Sequence, residues 1–269
     1  MSTVFALANQ KGGVGKTTSS VNLAASLAAT RKRVLLVDID PQGNATSGSG
    51  VDKHETEYTV YDVLVDDVPI EQAIVGTPEG SGFDLLAANG DLTAAEVQLL
   101  DMDRREYRLR EALHRVRARY DYILVDCPPS LNMLTVNALT AANSVIVPIQ
   151  CEYYALEGLT ALLDTIDKIS KVLNPSLHIG GLLRTMYDPR NSLSNDVSNQ
   201  LISHFGDKVY RTIIPRNVRL AEAPSHGAPV ISYDAKSRGA ISYLALAGEI
   251  LRREQALNQS KQAQQAKVD

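Results

Sequence analysis

The stretch TVFALANQKGGVGKTT, residues 3–18, constrains this chain more than any other feature of its sequence. A short apolar run ends at Asn9, glycines follow at positions 12, 13 and 15, and a helix-compatible segment begins near Lys16. Glycines at this density let successive backbone N–H groups converge on one point, and a helix N-terminus adds positive potential there. Strand, turn and helix together make a cradle for polyphosphate. The spacing departs from G-x-x-x-x-G-K-[ST]: counting back from Gly15-Lys16-Thr17 puts Gln10 where the first glycine belongs, and an extra lysine, Lys11, precedes the glycines. In such a loop Lys16 neutralises the β and γ phosphates and the Thr17 hydroxyl coordinates Mg²⁺.

The rest of the chain repeats the same rhythm of buried strand and helix. Apolar runs at residues 3–9, 33–40, 120–128, 144–150, 177–185 and 208–215 alternate with longer helical patterns. They are nearly continuous in Val, Ile and Leu, as strands covered by helices on both faces must be. The pattern predicts an α/β fold, a doubly wound and mostly parallel sheet whose ligands gather at the carboxyl ends of the strands. Residues 49–82, mixing Gly, Pro and acids, read as an excursion from the sheet. One domain is expected over residues 1–251, and the Gln-, Ala- and Lys-rich tail 252–269 reads as a helix end fraying into disorder.

Two further strands end in carboxylates. ILVDCPPS places Asp126 where it can hold Mg²⁺ directly or through water, and LLVDIDPQGN places Asp38 and Asp40 at the same edge of the sheet. A carboxylate there can orient or deprotonate an attacking water. Cys127 and Cys151 show no metal-ligand spacing and read as reduced thiols. No apolar run approaches the roughly 20 residues that span a bilayer, and no leader precedes the first strand, so a cytoplasmic protein is expected.

The stretches KGGVGKTT, VLLVDIDPQGNAT, YDYILVDCPPSL, TMYDPR, IIPRNVRLAEAPSHGAPV and YDAKSRGA occur here in that order. Together they resemble the deviant Walker A P-loop ATPases, and among them the ParA/Soj chromosome-partitioning family, from residue 3 to about 250. The resemblance implies a slow ATPase using ATP and Mg²⁺, with no N-K-x-D motif to read guanine. It implies that Lys11, Gly12, Gly13, Val14, Gly15, Lys16, Thr17 and Thr18 surround the phosphates. Lys16 would serve its own pocket, and Lys11 the pocket of a partner in an ATP-bound sandwich homodimer. Asp40 would be catalytic, Asp38 and Asp126 would lie near the metal, and Pro215 and Asn217 near adenine. DIDPQGN and DCPPS would be switch segments that respond to loss of the γ phosphate.

The formal net charge is -4, yet residues 184–238 carry eight Lys or Arg against five acids. Charge location outweighs the sum, so this quarter is the candidate DNA face. The resemblance points to Arg190 and Arg219, then Lys236 and Arg238, as contacts to double-stranded DNA without sequence preference. It also implies a ParB-type partner that stimulates hydrolysis, association with the nucleoid, and a role in positioning chromosome or plasmid DNA. The rival basic run 104–119 is interleaved with Glu106 and Glu111 and with Leu109, Leu113 and Val116, the pattern of a salt-bridged amphipathic helix. With strand one so near the start, no N-terminal operator-binding domain is expected.

Two other classes share such a nucleotide site. A MinD-like membrane-cycling ATPase should end in a basic helix with a strong apolar face, which this tail lacks, so no stable membrane anchor is expected. A nitrogenase-reductase-like electron carrier would bridge its dimer with a cluster held by two cysteines per chain, and the spacing for that is missing.

Overall fold

The computed structural model describes residues 2–265, and its centre is a seven-stranded sheet. The strands are β1 (Thr3–Leu7), β2 (Val34–Asp38), β3 (Ile74–Gly76), β4 (Asp84–Leu86), β5 (Tyr122–Asp126), β6 (Ser144–Gln150) and β7 (His178–Thr185). They lie in the order β3-β4-β2-β5-β1-β6-β7, parallel throughout except for the antiparallel β3–β4 edge pair. The expected doubly wound sheet is therefore present. Its strand order reverses at β1, so the crevice where ligands bind in such sheets opens beside the glycine-rich turn.

Strand periodicity divides the core into two. Val4, Ala6, Leu35, Val37, Ile123 and Val125 face one layer of helices, while Phe5, Leu7, Val34, Leu36 and Leu124 face the other. The second layer contains α1 (Lys16–Ala29) and the helix Arg238–Gln265, which buries Ala240, Tyr243, Leu246 and Ala247 against it. Every strand residue named here is fully or almost fully shielded from water, and each large aliphatic side chain among them contributes about 1.5–3 kcal/mol. That burial holds the carboxyl edge rigid enough to carry a site.

Five of the six expected strands form. The sixth, residues 208–215, is not a strand, and its backbone pairs beside β7 at the isolated bridges Leu182–Val209 and Tyr187–Pro215. Side chains take the backbone groups that a strand would have paired. Arg184 donates to the carbonyls of Tyr210 (2.9 Å) and Arg211 (3.3 Å), and Glu249 accepts the N–H groups of Arg211 (2.9 Å) and Thr212 (2.8 Å). The Tyr210 ring lies over Gly181 so closely that a Cβ there would overlap it. Conversely, β3 and β4, three residues each, arise within and just after the stretch expected to leave the sheet. The segment 104–119 supplies the helix Arg108–Val116, with Leu109, Leu113 and Val116 buried as its spacing requires. The tail expected to fray from Arg252 continues as helix to Gln265, and residues 266–269 lie outside the described residues.

Candidate functional site

The turn between β1 and α1 has the backbone its glycines allow. Gly13 (φ 72°) and Gly15 (φ 84°) both lie in the left-handed region, and Gly15 caps α1 without a side chain in the way. The turn is fastened from β7, where Thr185 Oγ1 donates to the Val14 carbonyl at 2.8 Å. No acidic residue occupies the first turn of α1, so its positive end is uncompensated. Lys16 is buried, with its Nζ donating across the loop to the Lys11 carbonyl at 3.2 Å. Burial lowers the Lys16 pKa, while Asp126, Cys127 and Asp40 act in the opposite sense.

Asp126 and Asp38 are paired residues at the ends of β5 and β2, and neither has any solvent exposure. Burial raises both pKa values; for Asp38 the negative charge of Asp126 adds to the rise, and for Asp126 that of Asp40 does. Hydrogen bonds oppose the shift. Ser20 Oγ donates to Asp126 Oδ1 at 2.7 Å, and the Thr17 hydroxyl also favours that carboxylate. Thr46 donates to Asp38 Oδ2 from both its N–H and its hydroxyl, each at 2.8 Å. Asp126 Oδ2 is left buried without a partner among the described residues. Two adjacent buried carboxylates, one with an orphaned oxygen, beside a hydroxyl-bearing helix start are a donor set for a hard divalent cation.

Asp40 stands two residues beyond Asp38, linked to it by its own N–H on Asp38 Oδ1 at 3.1 Å, while its Oδ1 accepts the Gln42 N–H at 3.0 Å. The turn that follows reaches α2 (Asn44–Gly48) through Gly43, whose φ is 61° and whose added Cβ would meet the Ala88 carbonyl at 2.6 Å. That tight passage places Thr46 on Asp38. Sequence spacing gave no sign of Ser20, Thr46 or Thr185 as supports of the site, because each acts through a fold contact. Of these three, only Ser20, four residues after Lys16 in α1, shares a face with that lysine by periodicity.

Lys11 lies apart from this cluster. Its Nζ pairs with Glu152 Oε2 at 2.7 Å, just past β6, and its side chain keeps 41% of its surface exposed. Pro215 and Asn217 follow the residues bridged to the end of β7: Tyr187 N–H donates to the Ile214 carbonyl and Arg216 N–H to the Tyr187 carbonyl. The strand carrying Thr185 therefore brings this segment to the rim of the glycine turn. Asn217 Oδ1 is buried without a partner among the described residues, as an acceptor awaiting a ligand donor would be.

The basic candidates divide by environment. Arg190 is exposed and paired with Asp188 through two nitrogens (2.9 and 2.7 Å), and Arg219 is shared by Glu222 (2.8 Å) and Asp234 (3.2 Å). Lys236 and Arg238 are exposed, and among the described residues no ion pair holds either. Arg184, counted in the basic quarter, is buried and belongs to the framework. Arg216 is an addition, since its charge reaches Asp188 beside Arg190. Among the described residues no helix is long and apolar enough to cross a membrane. Cys127 and Cys151 are buried free thiols, with burial pushing Cys151 up to about 11.

Sheet order, glycine turn, buried lysine and paired strand-end carboxylates define a P-loop nucleotide-binding protein. A family model described as an AAA domain matches residues 2–179. The chain is 56% identical to the Bacillus subtilis sporulation initiation inhibitor protein Soj, over 93% of this chain and 98% of that one. It is 54% identical to the chromosome partitioning protein ParA of Caulobacter vibrioides, over 93% and 94%. A Mycobacterium smegmatis structure named cobyrinic acid a,c-diamide synthase, with bound ADP and magnesium, superposes with a TM-score of 0.83 at 41% identity, over 95% and 96%. The chain belongs to the ParA/Soj family of chromosome-partitioning ATPases.

Proposed function

We propose that this protein is an ATP-dependent DNA-partitioning ATPase whose ATP-bound sandwich dimer binds DNA nonspecifically and is released when a ParB-type partner stimulates hydrolysis. The observation that carries the reading is the division of labour between two lysines. Lys16 is buried at the start of α1, whereas Lys11 stands at the rim with its ammonium outside its own glycine turn. A rim lysine so placed is available to phosphates held by a second subunit.

Lys16, the N–H groups of residues 12–18 and the start of α1 bind and neutralise the triphosphate. Thr17 and Asp126, with Asp38 behind them, hold Mg²⁺, and the orphaned Asp126 oxygen and the magnesium bound in the M. smegmatis relative support that assignment. Mg²⁺ held there would supply positive charge that neutralises the phosphates. Asp40 orients the attacking water, and Lys11 from the partner subunit stabilises charge developing on the transferring group. Asn217 Oδ1 accepts the exocyclic amine of adenine, with Pro215 packed alongside. Because the triphosphate contacts both chains, it stabilises the dimer by mass action.

Each subunit then presents Arg190, Arg216, Arg219, Lys236 and Arg238. Two modest patches acting together bind far more tightly than either alone, so DNA affinity follows the nucleotide state. Release after hydrolysis converts turnover into movement of the cargo over the nucleoid, without membrane attachment.

Light scattering with a nonhydrolysable ATP analogue, ADP or no nucleotide tests the reading. A dimer is expected with the analogue alone, and Lys11→Ala is expected to remain monomeric while still binding it. A wild-type monomer under saturating analogue removes the sandwich cycle.

A further inference from the structure

We infer that Glu152 is the resting counter-ion of Lys11, a positioning residue that holds this lysine within its own subunit and sets the nucleotide threshold for dimerisation. The inference rests on the trans role of Lys11 proposed above and names what that lysine must first give up.

The elements place the pair where it can act as a competitor. β1 and β6 are neighbours in the sheet, Lys11 follows β1 and Glu152 follows β6, so both belong to the same carboxyl edge. The Lys11 backbone is held independently, its N–H donating to Asn9 Oδ1 at 3.0 Å while Asn9 Nδ2 donates to the Pro148 carbonyl of β6 at 2.7 Å. This bracket fixes the base of the lysine and leaves its four-carbon stem free to swing. The side chains of Lys11 and Glu152 remain 41% and 46% exposed, so their ion pair is reachable by a third group. The two residues after Glu152 carry the same exposed character: Tyr153 and Tyr154 meet edge to face, with 74% and 66% of their surfaces open.

A half-exposed carboxylate is a weak holder. Exposed Lys–Glu pairs contribute at most about a fivefold bias, whereas a polyphosphate offers more than one negative oxygen in a water-poor site. Lys11 therefore stays on Glu152 when no triphosphate faces it and transfers when one does. Formation of one dimer breaks two such pairs, so a bias of about threefold per pair becomes about tenfold in the dimer dissociation constant. Glu152 thus suppresses dimers at low nucleotide without blocking them at high nucleotide.

The experiment is a double-mutant cycle in dimerisation, read by light scattering against protein concentration with a nonhydrolysable ATP analogue. Wild type, Glu152→Gln, Lys11→Ala and the double variant are compared, and analogue affinity is measured separately in dilute monomer. Glu152→Gln is expected to tighten dimerisation about tenfold while leaving monomer affinity for the analogue unchanged, and to have no effect in the Lys11→Ala background. Unchanged or weakened dimerisation in Glu152→Gln overturns the inference, as does an equal gain in the presence and absence of Lys11. If Lys11→Ala itself dimerises like wild type, the trans role fails first, and the inference fails with it. Glu152→Asp guards against a folding artefact: its shorter carboxylate should give a dimerisation constant between wild type and Glu152→Gln.

Discussion

Asp38 and Asp126 stand opposite one another at the ends of paired strands, both sealed from water and, among the described residues, with no lysine or arginine salt-bridged to either. Ionising both carboxylates in such a place is unfavourable in the ligand-free chain, and a divalent cation reverses the sign of that effect. Asp126→Asn removes one charge and keeps the oxygen that accepts from Ser20. In the presence of a chelator its melting temperature is expected to equal or exceed that of wild type. With ATP analogue, the further rise on adding Mg²⁺, several degrees for wild type at about 100 times Kd, should vanish. A full Mg²⁺-dependent rise in Asp126→Asn, measured by scanning calorimetry, would place the cation elsewhere.

Asp40 is tied to the site through its backbone, because the N–H, not the carboxylate, bonds to Asp38. Among the described residues its Oδ1 holds only the nearby Gln42 N–H, so the side chain can be removed without disturbing Asp38. Asp40→Ala is expected to retain ATP-dependent DNA binding and to lose turnover by about 10²–10⁴-fold, the range of general acid–base assistance. Steady-state phosphate release checks this. Undiminished turnover takes Asp40 out of the proposed role.

Two arginines from the same basic quarter should behave oppositely. Arg184 is buried and donates to the Ser198 hydroxyl and to the Tyr210 and Arg211 carbonyls, so Arg184→Ala, which leaves these acceptors without a donor, is expected to destabilise the fold by about 1–3 kcal/mol. Arg190 stands in solvent, where among the described residues only Asp188 engages it, and Arg190→Glu should leave urea unfolding unchanged. Its DNA affinity should fall and the dependence of log affinity on log salt should become shallower, by about one unit or more per patch. Identical salt slopes for Arg190→Glu and wild type would move the DNA face away from this loop.

How much of this was legible in the sequence follows from which interactions are local. The turn at 12–15 and the strand-end aspartates could be read because strand, glycine turn and helix start are contiguous, and the continuous Val, Ile and Leu runs fixed a buried parallel sheet. The KVYRTIIP run misled because its composition is that of a strand, while its pairing was decided by Arg184 and Glu249 from distant segments. The edge strands escaped because three residues carry no usable period. Glu152 illustrates the site-level limit: 141 residues separate it from Lys11, and nothing in its neighbours' spacing announces the pair.

Glu249 offers a pH test of the same replacement for strand pairing. Burial acts against its charge, but the N–H groups of Thr212 and Arg211 and the guanidinium of Arg253 outweigh it and hold its pKa below the ordinary glutamate value. A folded-state pKa below the unfolded one means that the charged form adds stability fully above the unfolded value, and that this stability is lost as pH falls through the folded one. Glu249→Gln keeps an acceptor oxygen but loses the charge, which costs about 1–2 kcal/mol near neutral pH. The difference between wild type and Glu249→Gln should therefore shrink as pH drops below the glutamate range. Urea unfolding from neutral pH to pH 3.5 measures it. A gap that stays constant across that interval would mean that amide geometry, not the carboxylate charge, secures residues 208–215 against β7.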